Sequence, residues 1–482
     1  MTSILGYEGQ HTYKPGNHTL AVVRGGYTLI IKNYEDLVSH GEIEAREVAL
    51  GITETVLEEA DPGKRLRSIV RRERDTLIIR DREYDLASIE HVYIIGVGKG
   101  AFSLVKALTD VLGKRVDKGI LITKRGEYYE QLEGIEVIES THPLPSEDSI
   151  RAGEAVLGLA ESAKEKDLVL TAVTGGASSL LWVPPDGVPL QDIVEVSTLL
   201  LKSGASIGEV NTVRRHLCLL KGGKLLSHIH PAENITFSMV TVPSWVMPWP
   251  DLCLPDDSTF QDAIDILKMF DVWDGASEAV QDYLERGCQG LEPETLKSTD
   301  NTRTNLYSVL DPAMLCEIGA ERAESFGYTP VILSRHVEGE AKDIGMAIAG
   351  IANEIGLYGR PWCPPCVLLI GGEVTVTVGG AIGDGGPNQE FVLGFAKGLG
   401  DIKNVACVAV DTDGSDGATD IAGGIVDGLT KRRARERGIS IAEALRTNTS
   451  KATLEQLGDA IITGPTGTNV LDFKVVVIGT DQ

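Results

Sequence analysis

HVYIIGVGKGAFSLVKALTDVL, residues His91–Leu112, is the stretch from which the fold is read. An apolar run, His91–Ile95, has the composition of a buried strand. Gly96, Gly98 and Gly100 then make a tight turn, and Phe102–Leu112 continues with helical spacing. The same order recurs at Asp167–Val173, which feeds TGGASSLL (Thr174–Leu181). Gly119–Thr123, Ile135–Glu139 and Ile235–Val242 are further strand candidates. Strands alternating with helices at this spacing predict a doubly wound, mostly parallel sheet. Ligands of such sheets bind beyond the carboxyl ends of the strands.

Two glycine-rich loops lie at such ends. Lys99 stands beside Gly98 at a helix N-terminus, where anions bind. G-x-G-K-G lacks the spacing of a Walker loop or a dinucleotide fingerprint. By itself it is equally a strand-to-helix turn with an exposed lysine. In the second loop Gly175, Gly176, Ser178 and Ser179 offer N–H groups and hydroxyls to a carboxylate or phosphate. A nucleophilic serine is the weaker alternative, because the G-x-S-x-G elbow is absent. Asn211–Pro231 is expected to be helical, with a basic stripe of Arg214, Arg215, Lys221 and Lys224. It is either an anion clamp or a solvated face. The loop carrying Trp245 and Trp249 among four prolines follows.

At 482 residues the chain exceeds one ordinary core, so two domains are expected. Residues 1–35 are assigned to an extension containing a hairpin, Leu20–Arg24 and Tyr27–Ile31, that serves as a sheet edge or homodimer contact. Residues 36–295 form the first domain and 296–482 a smaller α/β domain. A net charge of −25 argues against nucleic acid and anionic membranes as partners. No stretch is apolar enough to span a bilayer, and the N-terminus lacks the pattern of a signal peptide. Seven scattered cysteines suit a reducing cytoplasm rather than a disulfide framework. PWCPPC (residues 361–366) has redox spacing, but a strand follows it where a redox motif would open a helix.

The second domain carries its own acidic loop. VAVDTDGSDGATDIAGGIVDG, residues 408–428, follows an apolar strand with Asp411, Asp413, Asp416 and Asp420. Like charges so close are unfavourable without a cation. Mg²⁺ takes one or two carboxylates plus phosphate oxygens. The plainer alternative is a solvated acidic turn leading from strand to helix. Glu373, Asn388, Gln389 and Glu390 mark an adjacent strand–loop–helix unit. Thr463, Thr466, Thr468 and Asn469 lie in a final glycine-proline turn.

In order, GVGKGA, THPLPSEDS, DLVLTAVTGGASSLL, SGASIGEVNTVRRHL, KGGKL, EGEA, GGEVTVTV, GGPNQE, DTDGSDGATDIAGGIVDG and TGPTGTNV resemble the glycerate 2-kinase family of the MOFRL type, also known as hydroxypyruvate reductase-like. The resemblance runs from about residue 43 to the C-terminus. It implies two α/β domains flanking a cleft, a small anionic substrate, ATP, Mg²⁺ and phosphoryl transfer to D-glycerate or a related sugar acid. On that resemblance Lys99, Asp413 and Glu373 would be catalytic. Gly175, Gly176, Ser178, Ser179, Asn211, Arg214 and Lys221 would hold the substrate. Gly98, Asn388, Gln389, Thr466, Thr468 and Asn469 would face nucleotide or phosphate, and Asp411, Asp413 and Asp416 the metal. Two departures stand out. Pro387 occupies the place of a family arginine taken as a catalytic charge stabiliser, and the acidic and phosphate-type turns expected around residues 243–255 are replaced. They keep an alternative open: a lyase, isomerase or hydrolase of a polyhydroxy acid or sugar on the same fold that has lost ATP use. A non-catalytic sensor has only the N-terminal hairpin in its favour.

Overall fold

The alternation of apolar strands and amphipathic helices yields two six-stranded sheets. The computed structural model describes residues 29–126, 130–142, 144–239, 251–378 and 383–480. A small antiparallel sheet comes first, from β1 (Val70–Glu73), β2 (Thr76–Ile79) and β3 (Arg82–Asp85). The first large sheet contains β4 (Val92–Val97), β5 (Lys118–Lys124), β6 (Ile135–Ser140), β7 (Leu168–Val173), β8 (Glu233–Met239) and β9 (Thr304–Leu310). Its order is β6-β5-β4-β7-β8-β9, and every pairing is parallel. Successive strands are laid down outward from β4 on one side (β5, β6) and then from β7 on the other (β8, β9), which makes the carboxyl ends of β4 and β7 the switch point. Both faces of the sheet are buried. Ile94 and Leu170 pack toward one cluster, Ile95 and Val169 toward the other, as a strand's period of two requires.

The second sheet contains β10 (Thr329–Glu340), β11 (Cys366–Thr375), β12 (Val405–Asp411), β13 (Gly423–Asp427), β14 (Ala460–Ile461) and β15 (Asp472–Ile478). Its order is β10-β11-β15-β12-β13-β14, parallel only between β10 and β11. The apolar cluster on one face of the first sheet continues through the helix Ile43–Glu59 to Val408 and Val475 on the second, so the lobes share a core.

Several expectations are corrected. Residues 295/296 do not divide the lobes: β9 lies beyond that point and completes the first sheet, whereas Ile43–Glu59, assigned to the first domain, packs on β12 and β15 of the second. Of the expected N-terminal hairpin, residues 1–28 lie outside the described residues. Residues 29–31 are not a strand; Ile30 and Ile31 donate their N–H groups to Glu54. The helix expected over Asn211–Pro231 ends at His216; a non-helical stretch follows, and the left-handed Gly222 and Gly223 (φ 64° and 76°) lead into a separate helix, Lys224–Ile229. The aspartate loop returns into β13, so it joins two antiparallel strands instead of a strand and a helix. All seven cysteines are free thiols.

A buried ion-pair network fastens the helix Ile43–Glu59 to the second lobe. Arg46 bonds Asp427 through Nε and Asp459 through Nη2 (2.8 Å), and Arg433 also reaches Asp459 at 2.9 Å. Arg46→Met leaves carboxylates buried without their partner. It is expected to lower stability by about 3–5 kcal/mol, read as a lower urea midpoint.

Candidate active site

The turn after β4 and the turn after β7 are laced together at the switch point. The Lys99 N–H donates to the Gly175 carbonyl (2.7 Å), and the Thr174 hydroxyl donates to the Lys99 carbonyl (2.6 Å). Gly98 (φ 124°) runs against Thr174 so closely that any Cβ would strike its backbone. The lysine is thus placed by main-chain bonds. Its half-buried side chain makes no ion pair among the described residues. Gly100 caps the helix Ala101–Leu112 without a side-chain cap, leaving the helix's first N–H groups unclaimed by a capping side chain.

Beside this turn stands Gly176 (φ 86°). A Cβ built there would lie 3.5 Å from Lys99 Cγ, 3.2 Å from His142 Cδ2 and 3.6 Å from His142 Nε2. The loop after β6, which carries His142, therefore meets the other two. Ser178 Oγ is buried without a hydrogen-bond partner, and Ser179 is buried next to it.

The basic stripe divides. Arg215 is neutralised by Asp251 (2.6 Å) and Asp256 (3.0 Å). Asp251 belongs to the departing segment, so that segment supplies a structural counter-charge. Trp245 and Trp249 lie outside the described residues. Arg214 is equally buried but has no carboxylate partner among the described residues. Its Nε reaches Ser197 Oγ at 3.3 Å, and burial pulls its pKa down. Asn211 lies one helical turn earlier and is buried too. Lys221, expected at the substrate, is instead enclosed in the first lobe. It stacks over the Trp182 ring at 3.5 Å and donates to the Leu181 carbonyl at 3.0 Å, and burial lowers its pKa to about 8. It supports the chain that leaves the Thr174–Ser179 loop.

In the second lobe, the carboxyl ends of β11 and β12 flank the amino end of β15, so Gly372 and Asp411 both stand opposite Asp472. Glu373 follows at once. Burial and the neighbouring Asp472 push its carboxyl up, while Lys474 and, from the first lobe, Lys99 pull it down. Burial, Asp413 and Asp472 hold Asp411 far above the usual carboxylate range. Asp411 Oδ1 accepts the Asp413 N–H (2.9 Å), and Asp413 Oδ1 accepts from the Ser415 backbone and hydroxyl (2.8 and 2.9 Å).

Asp416 has a different task. Its oxygens accept the N–H groups of Asn388 (3.0 Å) and Gln389 (2.9 Å), capping the helix Pro387–Gly398. It is therefore not available as a metal ligand in the way Asp411 and Asp413 are. Even so capped, burial raises it to about 7. The Asn388 side-chain amide bridges Asp416 (3.1 Å) and Asp472 (2.7 Å), and Gln389 bonds Thr419 (2.9 Å). Both residues were expected at the nucleotide; the structure uses them to position carboxylates. Pro387 is the first residue of the helix, where a missing N–H costs nothing.

Among the described residues, only Glu90, His91 and Asp167 bring three ligand atoms within 4.8 Å of one another. They lie at the amino ends of β4 and β7, away from the loops above. Asp411, Asp413 and Asp416 do not form such a trio. The donor set nevertheless suits a hard cation that takes only two carboxylates from the protein. Asp411 and Asp413 each have a second oxygen, and the surplus of buried acid has Lys474 as its enclosed counter-charge (2.9 Å to Asp472).

The last turn closes over this cluster. The Thr466 N–H and hydroxyl donate to the Asp413 and Thr412 carbonyls (3.2 and 2.5 Å), and Thr468 Oγ1 is buried without a partner. Asn469 is half-buried beside it. A Cβ on Gly100 would lie 3.5 Å from the Gly467 carbonyl oxygen. The lysine turn of the first lobe thus abuts the threonine turn of the second.

Comparison with known proteins places this arrangement. Residues 48–285 match DUF4147, a domain of unknown function, and residues 366–472 match the MOFRL family. Glycerate 2-kinase of Pyrococcus horikoshii is 38% identical over 90% of this chain and 98% of its own. The chain belongs to the glycerate 2-kinase family of the MOFRL type. Another member, D-glycerate 2-kinase of Thermotoga maritima, is 35% identical over 81% of this chain and 91% of its own. A putative hydroxypyruvate reductase of Agrobacterium vitis is 36% identical over 80% and 99%. The crystal structure of a glycerate kinase from Thermotoga maritima superposes with a TM-score of 0.79 at 33% identity, covering 90% of this chain and 99% of that one. Within the family, kinase names do not favour the alternative of a non-kinase enzyme. No described helix is long and apolar enough to cross a membrane.

Asp472 and Lys474 escaped the sequence reading. Their signal is a D-x-K pair inside an otherwise apolar strand, two residues apart and hence on one face.

Proposed function

We propose that the protein is an ATP- and Mg²⁺-dependent kinase that phosphorylates the 2-hydroxyl of D-glycerate in the cleft between its lobes. The observation that carries this reading is the opposition of an unpaired lysine turn on one lobe to a surplus of buried carboxylate on the other. Phosphoryl transfer needs positioning and charge neutralisation more than covalent help.

In this reading Arg214 and the Gly175–Ser179 loop hold the substrate carboxylate, since a buried guanidinium without a counter-ion favours an anion. Lys99 and the N-terminus of the helix Ala101–Leu112 hold the transferring phosphate. Thr468 and Asn469 close the pocket. Mg²⁺, bound by Asp411 and Asp413, would neutralise phosphate oxygens. Asp472, fixed by Lys474 and Asn388, keeps Glu373 and Asp411 in place. Pro387 cannot supply an arginine's charge, so Lys99 and the metal carry that task here.

The test is a coupled assay of ADP release with D-glycerate, with phosphorus NMR of the product. Expected are Mg-dependent turnover and a 2-phospho product. No turnover over a panel of sugar acids sinks the reading. The metal adds a pH signature. Carboxyls raised in the folded state favour folding below their ordinary range near pH 4, and that contribution is lost as pH climbs through about 7, the Asp416 value, and beyond for Asp411. Mg²⁺ held by Asp411 and Asp413 displaces the Asp411 proton, so its stabilisation of the fold should grow from pH 6 to pH 9. Melting curves with and without Mg²⁺ measure this.

A further inference from the structure

We infer that His142 is the base that takes the proton from the substrate hydroxyl. The inference rests on the kinase reading above and deepens it. Three loops of the first lobe converge at the switch point, and their meeting place is Gly176. The imidazole edge and the stem of Lys99 lie on the same side of that glycine, both within 3.6 Å of where a Cβ would sit. A side chain at position 176 would fill the space the two groups share, so the glycine keeps the imidazole and the lysine adjacent.

The chemistry of the neighbours assigns the role. The other first-lobe groups gathered here are Lys99, Thr174, Ser178 and Ser179. They are cations or hydroxyls, suited to holding anions but not to accepting a proton at neutral pH. An imidazole accepts one in that range and returns it to water. Of the carboxylates opposite, Asp411, Asp413 and Asp472 are engaged by backbone N–H groups, by Lys474 and by the proposed metal, and Glu373 lies in the fields of Lys474 and Lys99. In the step itself, the substrate O–H bond breaks and its proton goes to the unprotonated nitrogen of His142. Its oxygen bonds the γ-phosphorus as the bond from that phosphorus to the β–γ bridging oxygen breaks. The electron pair leaves with the nucleoside diphosphate, and the imidazolium releases the proton to solvent.

The test compares wild type with H142A and H142Q in D-glycerate and MgATP. A general base is worth about 10²–10⁴-fold. Expected is a fall in kcat of about 10²-fold or more with KM for glycerate within about threefold. Added imidazole should recover at least about tenfold of the H142A loss, which a merely structural role would not allow. Circular dichroism and melting show whether each variant is folded; should H142A not fold, H142Q carries the comparison of kcat with KM. A kcat within threefold of wild type overturns the assignment, as does a loss seen only in KM. A wild type without turnover fails the kinase reading itself and takes the base with it. A wild type that turns over normally beside an equally active H142Q overturns the base alone.

Discussion

Lys99→Met is expected to lower kcat/KM for the phosphoryl acceptor about 10³-fold, the scale for losing one preorganised charge at a developing anion. The melting temperature should move by no more than about 2 °C, since only a weak attraction to Glu373, the smallest of the influences on that carboxyl, is lost. Both halves follow from how the residue is held. Its backbone is fixed by the bonds to Gly175 and Thr174, which methionine retains, and its ammonium has no ion-pair partner among the described residues. The group is therefore spent on the ligand rather than on the fold. Steady-state kinetics beside a thermal melt decides it: a loss below about tenfold would remove Lys99 from the phosphate.

Arg214→Met is expected to act with opposite signs on binding and stability. The wild-type guanidinium is buried against the Ser197 hydroxyl and, among the described residues, has no carboxylate to offset its desolvation. Removing it should leave the fold as stable or slightly more so, while KM for the anionic substrate rises about 10²–10³-fold, as truncating one side of a buried charge pair does. Its sequence neighbour supplies the control. Arg215→Met strands Asp251 and Asp256, so it should destabilise the protein and leave no folded form with normal melting. If both substitutions behave alike, Arg214 is a structural residue too.

These paired contrasts show where reading the chain by itself stops. Arg214 and Arg215 are adjacent in one basic stripe and cannot be told apart by composition. Only the folded chain shows that Asp251 and Asp256 approach one of them and not the other. Lys221 belonged to the same stripe, yet it ends up over Trp182 inside the lobe. Asp416 and Asp411 are five residues apart in one acidic loop. One caps a helix that begins at Pro387, and the other faces Asp472 across a strand pair. His142 lies in the THPLPSEDS block, but nothing in that block shows its role, which depends on a glycine 34 positions later.

The order of apolar runs, glycine turns and amphipathic segments determined the two α/β lobes, the parallel first sheet and the loops at its carboxyl ends, because periodicity and turn chemistry act between neighbours in the chain. The blocks from GVGKGA to TGPTGTNV likewise determined the family. Tertiary structure alone decided that the helix Ile43–Glu59 serves the second lobe, that β9 completes the first, and which charges are paired and which are left for a ligand. Burial and pairing depend on groups far apart in sequence. A carboxylate or guanidinium acquires its role from whatever the fold sets against it.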